Sequence, residues 1–349
     1  MPPVRPNIAE MKGYVPGEQP QGIEKFIKLN TNENPYQCSP KVKAAIGRAV
    51  QAGLQKYPDP TATAFRNRAG ELHGVDPDWI LCGNGSDDIL TIVTRTFVGT
   101  SDMIRFANPS YLLYRTMAEI QGAACDIINY NADWSLPAEF AKPNDWIRLA
   151  FLANPNSPSG TMIPPEKVAA LAEELPCPLL VDEAYVDFAE TSCLSLVAEN
   201  EKIMVARTLS KSYALAGLRF GYVVAQPQVI HELGKVKDSY NCDALSIAGA
   251  TAAIDDQAWL TETRAVILAT RSRMSAALAQ MGFNVVPSQA NFVWCTHDEA
   301  PVEPVYRSLK QAGVLVRYMQ YPGWGDGLRI TVGTDEQVDA CLTLLKSLV

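Results

Sequence analysis

The chain has 349 residues, of which 47% are hydrophobic, and a formal net charge of −8. This length and composition allow a large buried core, and we expect one large and one smaller domain. The negative charge and the lack of a basic run exclude nucleic acid and anionic membranes as expected partners, and the lack of a long apolar segment predicts a cytoplasmic protein.

Residues 1–37 are rich in proline, glycine and asparagine, which predicts an irregular N-terminal arm lying across another surface. A helical period follows at residues 40–54, and seven short apolar runs then alternate with helix-length segments. This alternation predicts a large domain over residues 38–245, with a mainly parallel sheet covered by helices on both faces. The runs lie at residues 79–82, 102–106, 123–128, 147–152, 178–181, 203–206 and 220–224.

The pattern changes after residue 245, where a long helical stretch at 257–281 precedes short strands and two further helices. We expect residues 246–349 to form a separate, smaller α+β domain. The predicted strands are 283–286, 291–295, 314–316 and 328–332, and the predicted helices are 301–312 and 335–348.

The eight cysteines and three histidines are scattered along the chain. The cysteines form no C-x-x-C pair, and most lie in or after apolar segments, so we expect them to be structural and reduced. The isolated histidines argue against a metal site and against a serine–histidine triad. We therefore predict no metal.

Residues 83–88, Gly-Asn-Gly-Ser-Asp-Asp, join an apolar run to an amphipathic segment. A glycine turn that opens a helix presents free N–H groups and a favourable dipole to an anion, although an ordinary N-capped helix is an equally good interpretation. A dinucleotide site fits less well, because Asp88 occupies the third glycine position and the next strand ends in Asn108 rather than an acid. A mononucleotide-sized phosphate remains as the candidate ligand.

Two further strand ends carry candidate binding residues. Tyr111 follows one strand and would stack on a flat ring, with a simply packed aromatic as the alternative. Residues 154–160, Asn-Pro-Asn-Ser-Pro-Ser-Gly, form a rigid loop that would hold an amide against a ligand, although such loops are more often plain turns.

Asp182 and Lys211 are the most informative side chains. Asp182 ends a buried apolar strand, where a carboxylate is costly unless it is paired, and a pyridinium nitrogen would be a suitable partner. Lys211 follows a strand among small and hydroxyl residues, with Arg219 eight residues later. A lysine that forms a Schiff base beside anion-binding groups is what pyridoxal phosphate chemistry requires.

Arg317 and Arg329 each lie at or within an apolar strand of the smaller domain. The planar guanidinium group suits a carboxylate or a phosphate. A structural ion pair is the alternative for each of them.

Together, in this order along nearly the whole chain, these segments resemble the fold-type I, class II aminotransferases that depend on pyridoxal phosphate, and most of all those acting on histidinol phosphate. The resemblance includes the arm motifs at 13–17 and 29–35, Asp-Glu-Ala-Tyr at 182–185, Thr-Leu-Ser-Lys-Ser-Tyr at 208–213 and Gly-Leu-Arg-Ile-Thr at 327–331. It implies an α/β fold of the pyridoxal-phosphate-dependent transferase type, with a seven-stranded large-domain sheet and a smaller α+β domain.

The resemblance also implies a role for each site residue. Lys211 would bind the cofactor and then move protons, Asp182 would pair with the ring nitrogen, and Tyr185 with an asparagine would contact the ring hydroxyl. Tyr111 would stack on the ring, and Tyr57 would reach the phosphate of the neighbouring subunit's cofactor, which implies a homodimer. The remaining assignments are Gly85, Ser86, Asp87, Ser210 and Arg219 to the cofactor phosphate, Arg329 to a substrate carboxylate, Arg317 and Tyr14 to a substrate phosphate, and Asn32 to the substrate.

One departure from the family pattern concerns the ring hydroxyl. The family has asparagine immediately before Pro-Thr-Gly, whereas this chain has Ser157, followed by Ser159 in the threonine position. The contact is assigned to Asn156, with Asn154 and Ser157 as the alternatives.

The leading hypothesis is amino transfer between an amino donor, histidinol phosphate, and a 2-oxo acid acceptor, 2-oxoglutarate, in histidine biosynthesis. An aromatic amino acid aminotransferase is the alternative, followed by a phosphothreonine decarboxylase of the same fold. A non-enzymatic binding module is disfavoured, because it would not need the Schiff-base amine of Lys211.

Overall fold

The computed structural model describes residues 2–14, 17–19 and 26–349. Val15 and Pro16 of the predicted arm motif at 13–17 lie outside the described residues. No helix in the described part of the chain is both long enough and apolar enough to cross a membrane.

Strands in the described residues form three sheets. They are β1 (Ile27–Lys28), β2 (Ile80–Gly83), β3 (Met103–Asn108), β4 (Ala124–Asn129), β5 (Ile147–Ala153), β6 (Leu179–Asp182), β7 (Ile203–Thr208), β8 (Gly221–Val224), β9 (Phe283–Val285), β10 (Phe292–His297), β11 (Val314–Leu315), β12 (Arg317–Tyr321) and β13 (Gly325–Thr331).

The α-helices are α1 (Pro6–Glu10), α2 (Pro40–Ala52), α3 (Thr63–His73), α4 (Ser86–Phe97), α5 (Leu113–Gln121), α6 (Pro165–Glu174), α7 (Leu196–Glu199), α8 (Pro227–Val236), α9 (Ala244–Ile254), α10 (Gln257–Gln280), α11 (Val302–Gln311) and α12 (Asp335–Lys346). Local sequence explains several of their starts. Ser39 caps α2 ahead of Pro40, and Thr334 forms a capping box with Gln337 at the start of α12.

The large sheet has seven strands in the order β2-β8-β7-β6-β5-β3-β4. Strand β8 runs antiparallel to both of its neighbours, and the remaining pairs are parallel. Each of the seven predicted apolar runs forms one of these strands, so the predicted mainly parallel sheet is confirmed.

Both faces of this sheet are covered, which explains why its strands are mainly apolar rather than alternating. Leu179 and Val181 face one hydrophobic cluster, whereas Leu180, between them on β6, faces the other. Helices α4, α5 and α8 contribute to the second cluster, and α3, α6 and α9 contribute to the first.

A smaller antiparallel sheet has the order β12-β13-β10-β9, and helices α10, α11 and α12 pack with it around a third cluster. The arm joins this part of the chain, because β1 pairs in parallel with β11. The smaller α+β unit is as predicted, whereas the domain boundary at residue 245 stays a prediction. The sequence did not predict strand β12.

Candidate active site

A cavity of about 250 Å³ lies where the carboxyl ends of the parallel strands meet the arm and the small sheet. This is where ligands bind in open α/β sheets. The predicted residues that line it are Tyr14, Asn32, Ser86, Asp87, Tyr111, Asp182, Tyr185, Ser210, Lys211, Arg219, Arg317 and Arg329. The fold therefore brings together residues that lie up to 315 positions apart in the chain (329 minus 14).

Lys211 lies three residues after β7 and is partly buried. Its Nζ donates to the carbonyl oxygen of Thr31 at 3.2 Å and lies 5.6 Å from the centre of the Tyr185 ring. Among the described residues no carboxylate forms an ion pair with it. The amine is thus held only by neutral groups inside a cavity, which leaves it able to change partners.

Asp182 ends β6 and is only 5% exposed. Burial raises the pKa of its carboxyl to about 6, and hydrogen bonds from Tyr114 and from the Ala184 N–H oppose that rise in pKa. The Tyr114 hydroxyl donates to Oδ2 at 2.8 Å, and the Ala184 N–H donates to Oδ1 at 3.2 Å. A buried carboxylate with neutral donors alone suits a cationic ligand group.

An anion cradle forms at the start of α4. Gly85 has φ +84°, and a Cβ at this position would lie 2.5 Å from Nη2 of Arg219, so only glycine lets the guanidinium come this close. No side chain caps α4, which leaves its first N–H groups available. Arg219 donates to Ser210 Oγ at 3.3 Å and to Asp87 Oδ2 at 3.2 Å.

Tyr111 lies between the cradle and Asp182. Its hydroxyl donates to Asp87 Oδ1 at 3.1 Å, and its ring makes edge contacts with Tyr14 and Tyr114 at 6.1 and 5.6 Å. Burial raises the pKa of its hydroxyl well above the usual range, so the ring is neutral at physiological pH. A neutral ring held on its edges leaves a face to stack on a flat ligand.

Tyr185 and Asn32 form a pair on the opposite wall. Asn32 Nδ2 donates to the Tyr185 hydroxyl at 2.9 Å, and Thr331 Oγ1 donates to Asn32 Oδ1 at 3.1 Å. The Tyr185 ring rests edge-on against Phe292 at 5.0 Å. These contacts fix the phenol oxygen at the cavity wall.

Arg317 and Arg329 occupy directly opposed positions on β12 and β13. Arg329 donates to Ser157 Oγ at 2.9 Å and to the Asn30 carbonyl oxygen at 3.0 Å, while its buried Nε has no partner among the described residues. Burial lowers the pKa of Arg329, and the charge of Arg317 lowers it further. In the described part of the chain, neither arginine forms an ion pair with a carboxylate.

Asn156, which was assigned to the ring hydroxyl, is not among the residues that the fold brings to the cavity. Asn156 is 1% exposed and does not line the cavity; its amide accepts from Ser110 and donates to the Pro109 carbonyl and to Ser159. Both polar atoms of the Asn154 amide are likewise hydrogen-bonded to the backbone of Ile163. Of the three alternatives, Ser157 is the one whose side chain lies at the cavity.

Two other predicted residues do not line the cavity. Gly85 lies behind it and acts through the room that it leaves for Arg219. Tyr57 is 80% exposed and stacks on Tyr240, away from the cavity of its own chain.

Sequence reasoning missed Tyr114, which holds Asp182, and Thr31, which accepts from Lys211. Tyr114 lies three residues after Tyr111 where the chain enters α5, and that spacing is a usable signal. Nothing in the sequence indicated the backbone contact of Thr31.

A family model described as "Aminotransferase class I and II" matches residues 24–345. A histidinol-phosphate aminotransferase from Rhodopirellula baltica is 54% identical over 343 residues, which is 98% of this chain and 94% of the relative. Histidinol-phosphate aminotransferase 1 from a Nostoc species is 45% identical, over 99% of this chain and 98% of the relative.

Among solved structures, the histidinol-phosphate aminotransferase from Sinorhizobium meliloti, in complex with pyridoxal-5'-phosphate, superposes with a TM-score of 0.89. The two chains are 26% identical, and the match covers 100% of this chain and 99% of that one. An aspartate aminotransferase from Thermotoga maritima is 18% identical with a TM-score of 0.82, covering 93% and 92% of the two chains, and shares the fold.

Proposed function

The chain belongs to the class I and II aminotransferase family, and on that premise we propose that it transfers an amino group from histidinol phosphate to 2-oxoglutarate. The products are imidazole-acetol phosphate and glutamate, so the amino group and the keto oxygen exchange places. The observation that carries the proposal is a single cavity lined by Lys211, Arg317 and Arg329, none of them ion-paired with a described carboxylate.

The donor set of the site fits pyridoxal phosphate. Among the described residues the hydrogen-bond donors to Asp182 are neutral, so its carboxylate has room for an ion pair with a cation such as a protonated ring nitrogen. The uncapped start of α4, with Ser86, Ser210 and Arg219 around it, would hold the phosphate. Tyr111 would stack on the ring, and Tyr185 would donate to the ring hydroxyl.

When bound, pyridoxal phosphate supplies a carbonyl carbon that captures amines and a protonated ring that accepts electron density from the adjacent carbon. Lys211 Nζ would take the proton from the amine-bearing carbon of the substrate and return it to the carbon that the cofactor contributes. The neutral contact of this amine with Thr31 leaves it free to move between those two positions. Asp182, held in place by Tyr114, would pair with the protonated ring nitrogen.

The two arginines orient both substrates through their anionic groups. Arg329 is partly buried and its Nε–H has no partner among the described residues, so a carboxylate can take both that N–H and a second one in a bidentate pair. Arg317 lies opposite on the neighbouring strand and would take the phosphate of histidinol phosphate or the distal carboxylate of 2-oxoglutarate. Ser157 would support Arg329 and approach the ring hydroxyl, the position at which the family pattern has asparagine.

The exposed Tyr57 supports a homodimer in which each cofactor site is shared. An 80% exposed tyrosine far from its own cavity is available to reach the cofactor phosphate of the partner subunit. The resemblance of the Lys-Tyr-Pro-Asp motif at 56–59 to the family pattern implies the same contact with the partner's cofactor phosphate.

Steady-state assays test the proposed reaction. Cofactor-loaded protein should form glutamate from histidinol phosphate and 2-oxoglutarate, and Lys211→Ala should lower kcat at least about 10²-fold. Lys202→Ala is the matched control, because Lys202 binds the carbonyls that end α6, away from the cavity. Turnover of phenylalanine or tyrosine without histidinol phosphate would instead indicate an aromatic aminotransferase, and release of carbon dioxide without an acceptor would indicate a decarboxylase.

A further inference from the structure

We propose that Tyr240 and Asn241 connect the phosphate cradle of one subunit to the Tyr57 that serves the other. In this proposal Asn241 is a positioning residue for the loop at 83–87, and Tyr240 is a positioning residue for Tyr57. The inference rests on the proposed cofactor and homodimer, and it extends them to two residues outside the cavity.

Asn241 joins the two ends of the phosphate-binding loop. Its Nδ2 donates to the carbonyl oxygen of Cys82 at 3.0 Å and to Asp88 Oδ2 at 2.9 Å. Cys82 lies in β2, before the loop, and Asp88 lies in the first turn of α4, after it. The same Asp88 oxygen accepts the Asn84 N–H at 2.9 Å. One amide group therefore fixes the strand, the loop and the helix start relative to one another.

The orientation of this amide is itself fixed. Lys237 Nζ lies 3.5 Å from Asn241 Oδ1 and donates to the carbonyl oxygens of Asp238 and Ser239. With its oxygen directed to Lys237, the amide presents its NH₂ group to the loop. The next residue, Cys242, is 5% exposed and anchors the segment in the core.

Tyr240 makes the second half of the connection. Its ring stacks on Tyr57 with centres 4.5 Å apart and planes 15° apart. Tyr240 is 47% exposed and Tyr57 is 80% exposed, so the pair adds little to the core of its own subunit. Stacking restricts the Tyr57 side chain before it meets a partner, which lowers the entropy lost on binding.

Neighbouring residues in the chain thus support both phosphate contacts, the loop of their own subunit and the tyrosine offered to the other. Neither residue lines the cavity, so neither touches the reacting atoms. Their replacement should change the affinity for cofactor and leave the chemistry of the loaded enzyme close to normal.

The test is a titration of cofactor-free protein with pyridoxal phosphate. Asn241→Ala should raise the dissociation constant about 10- to 100-fold, the range seen when groups that support the ligands of a bound metal are lost. At saturating cofactor, its KM for histidinol phosphate should stay near the wild-type value. Asn284→Ala is the control, since that amide binds Asp298 on the small sheet. A folded Asn241→Ala protein with unchanged cofactor affinity would overturn the role of Asn241.

Tyr240 is tested separately, so that the proposal can still be tested if the Asn241 variant folds poorly. Tyr240→Ala should weaken cofactor binding and Tyr240→Phe should not, because phenylalanine keeps the stacking. The double variant Tyr57→Ala/Tyr240→Ala should bind no more weakly than Tyr57→Ala alone. Additive losses would overturn the role of Tyr240. A wild-type protein that binds no pyridoxal phosphate contradicts the proposed function instead, which separates the two failures.

Discussion

Arg317 and Arg329 face each other directly across two antiparallel strands, with no described carboxylate paired to either. Like charges at directly opposed positions destabilise a sheet, and the buried Nε–H of Arg329, which has no partner among the described residues, adds to that cost. Such an arrangement is explained by an anionic ligand. The stability and the substrate affinity of the protein are therefore linked at this strand pair.

Replacing Arg329 by methionine should stabilise the ligand-free protein while weakening its binding of substrates. Removal of this partly buried charge, which has no carboxylate partner among the described residues, should raise the free energy of unfolding by about 1 kcal/mol. Loss of the charged hydrogen bonds should raise KM for 2-oxoglutarate about 10- to 100-fold. Urea unfolding and steady-state kinetics measure the two effects.

The matched control for this variant is Arg105→Met. Arg105 is buried and is paired with Asp126 at 2.7 Å, so its loss should destabilise the protein by about 3 kcal/mol. Destabilisation of similar size by both substitutions would contradict the account of Arg329.

Ser157→Ala should raise KM for the carboxylate substrate about 2- to 10-fold, because Arg329 loses one neutral hydrogen-bond partner. Ser159→Ala provides the comparison, since Ser159 is buried two residues further on and binds Asn156 and Thr161 rather than Arg329. Equal KM values for the two variants would show that the Ser157 contact does not support substrate binding.

The stability of the cofactor-free protein should depend on pH through Asp182. Its pKa is raised from 3.8 in the unfolded chain to about 6 in the folded state, so the folded protein holds this proton more tightly. The stabilisation is complete below about pH 4 and is lost as pH rises through about 6, by roughly 3 kcal/mol in all.

Asp182→Asn should remove this dependence and be more stable than the wild type above pH 6, with little difference at pH 4. Denaturant unfolding across this range measures the change. Cofactor should reverse the ranking, because the protonated ring nitrogen pairs with the aspartate and not with the amide. An Asp182→Asn protein that is less stable than the wild type at pH 8 without cofactor would contradict the account.

Mixing two defective subunits tests the shared site. Lys211→Ala removes the catalytic amine, and Tyr57→Ala should weaken cofactor binding by the partner. A mixed dimer contains one site with both native residues, so co-expression should restore activity at limiting cofactor. Activity that stays at the average of the two homodimers would indicate that Tyr57 does not act across an interface.

The sequence predicted the large sheet well because most of its strands are buried on both faces and read as mainly apolar runs. Strand β12 was not predicted because it lacks such an apolar run. It lies at the edge of the small sheet, its residues are only partly buried, and its sequence Arg-Tyr-Met-Gln-Tyr mixes polar and aromatic side chains.

The site residues were found where residue type and position at a strand end carried the information, as at Asp182 and Lys211. The direction of the Asn156 side chain could not be predicted, because the spacing of a motif does not determine where an amide points. Its amide instead forms buried hydrogen bonds with Ser110 and Ser159. The pair of Tyr240 with Tyr57 depends on tertiary contact between distant segments, which no local pattern encodes.

The most direct measurement of the proposed activity follows the absorbance of the bound cofactor after rapid mixing with a single amine and no acceptor. Histidinol phosphate and glutamate should each bleach the long-wavelength absorbance of the loaded protein, at least about 10-fold faster than phenylalanine, and 2-oxoglutarate should restore it. Bleaching by phenylalanine or tyrosine but not by histidinol phosphate would contradict the proposed substrate.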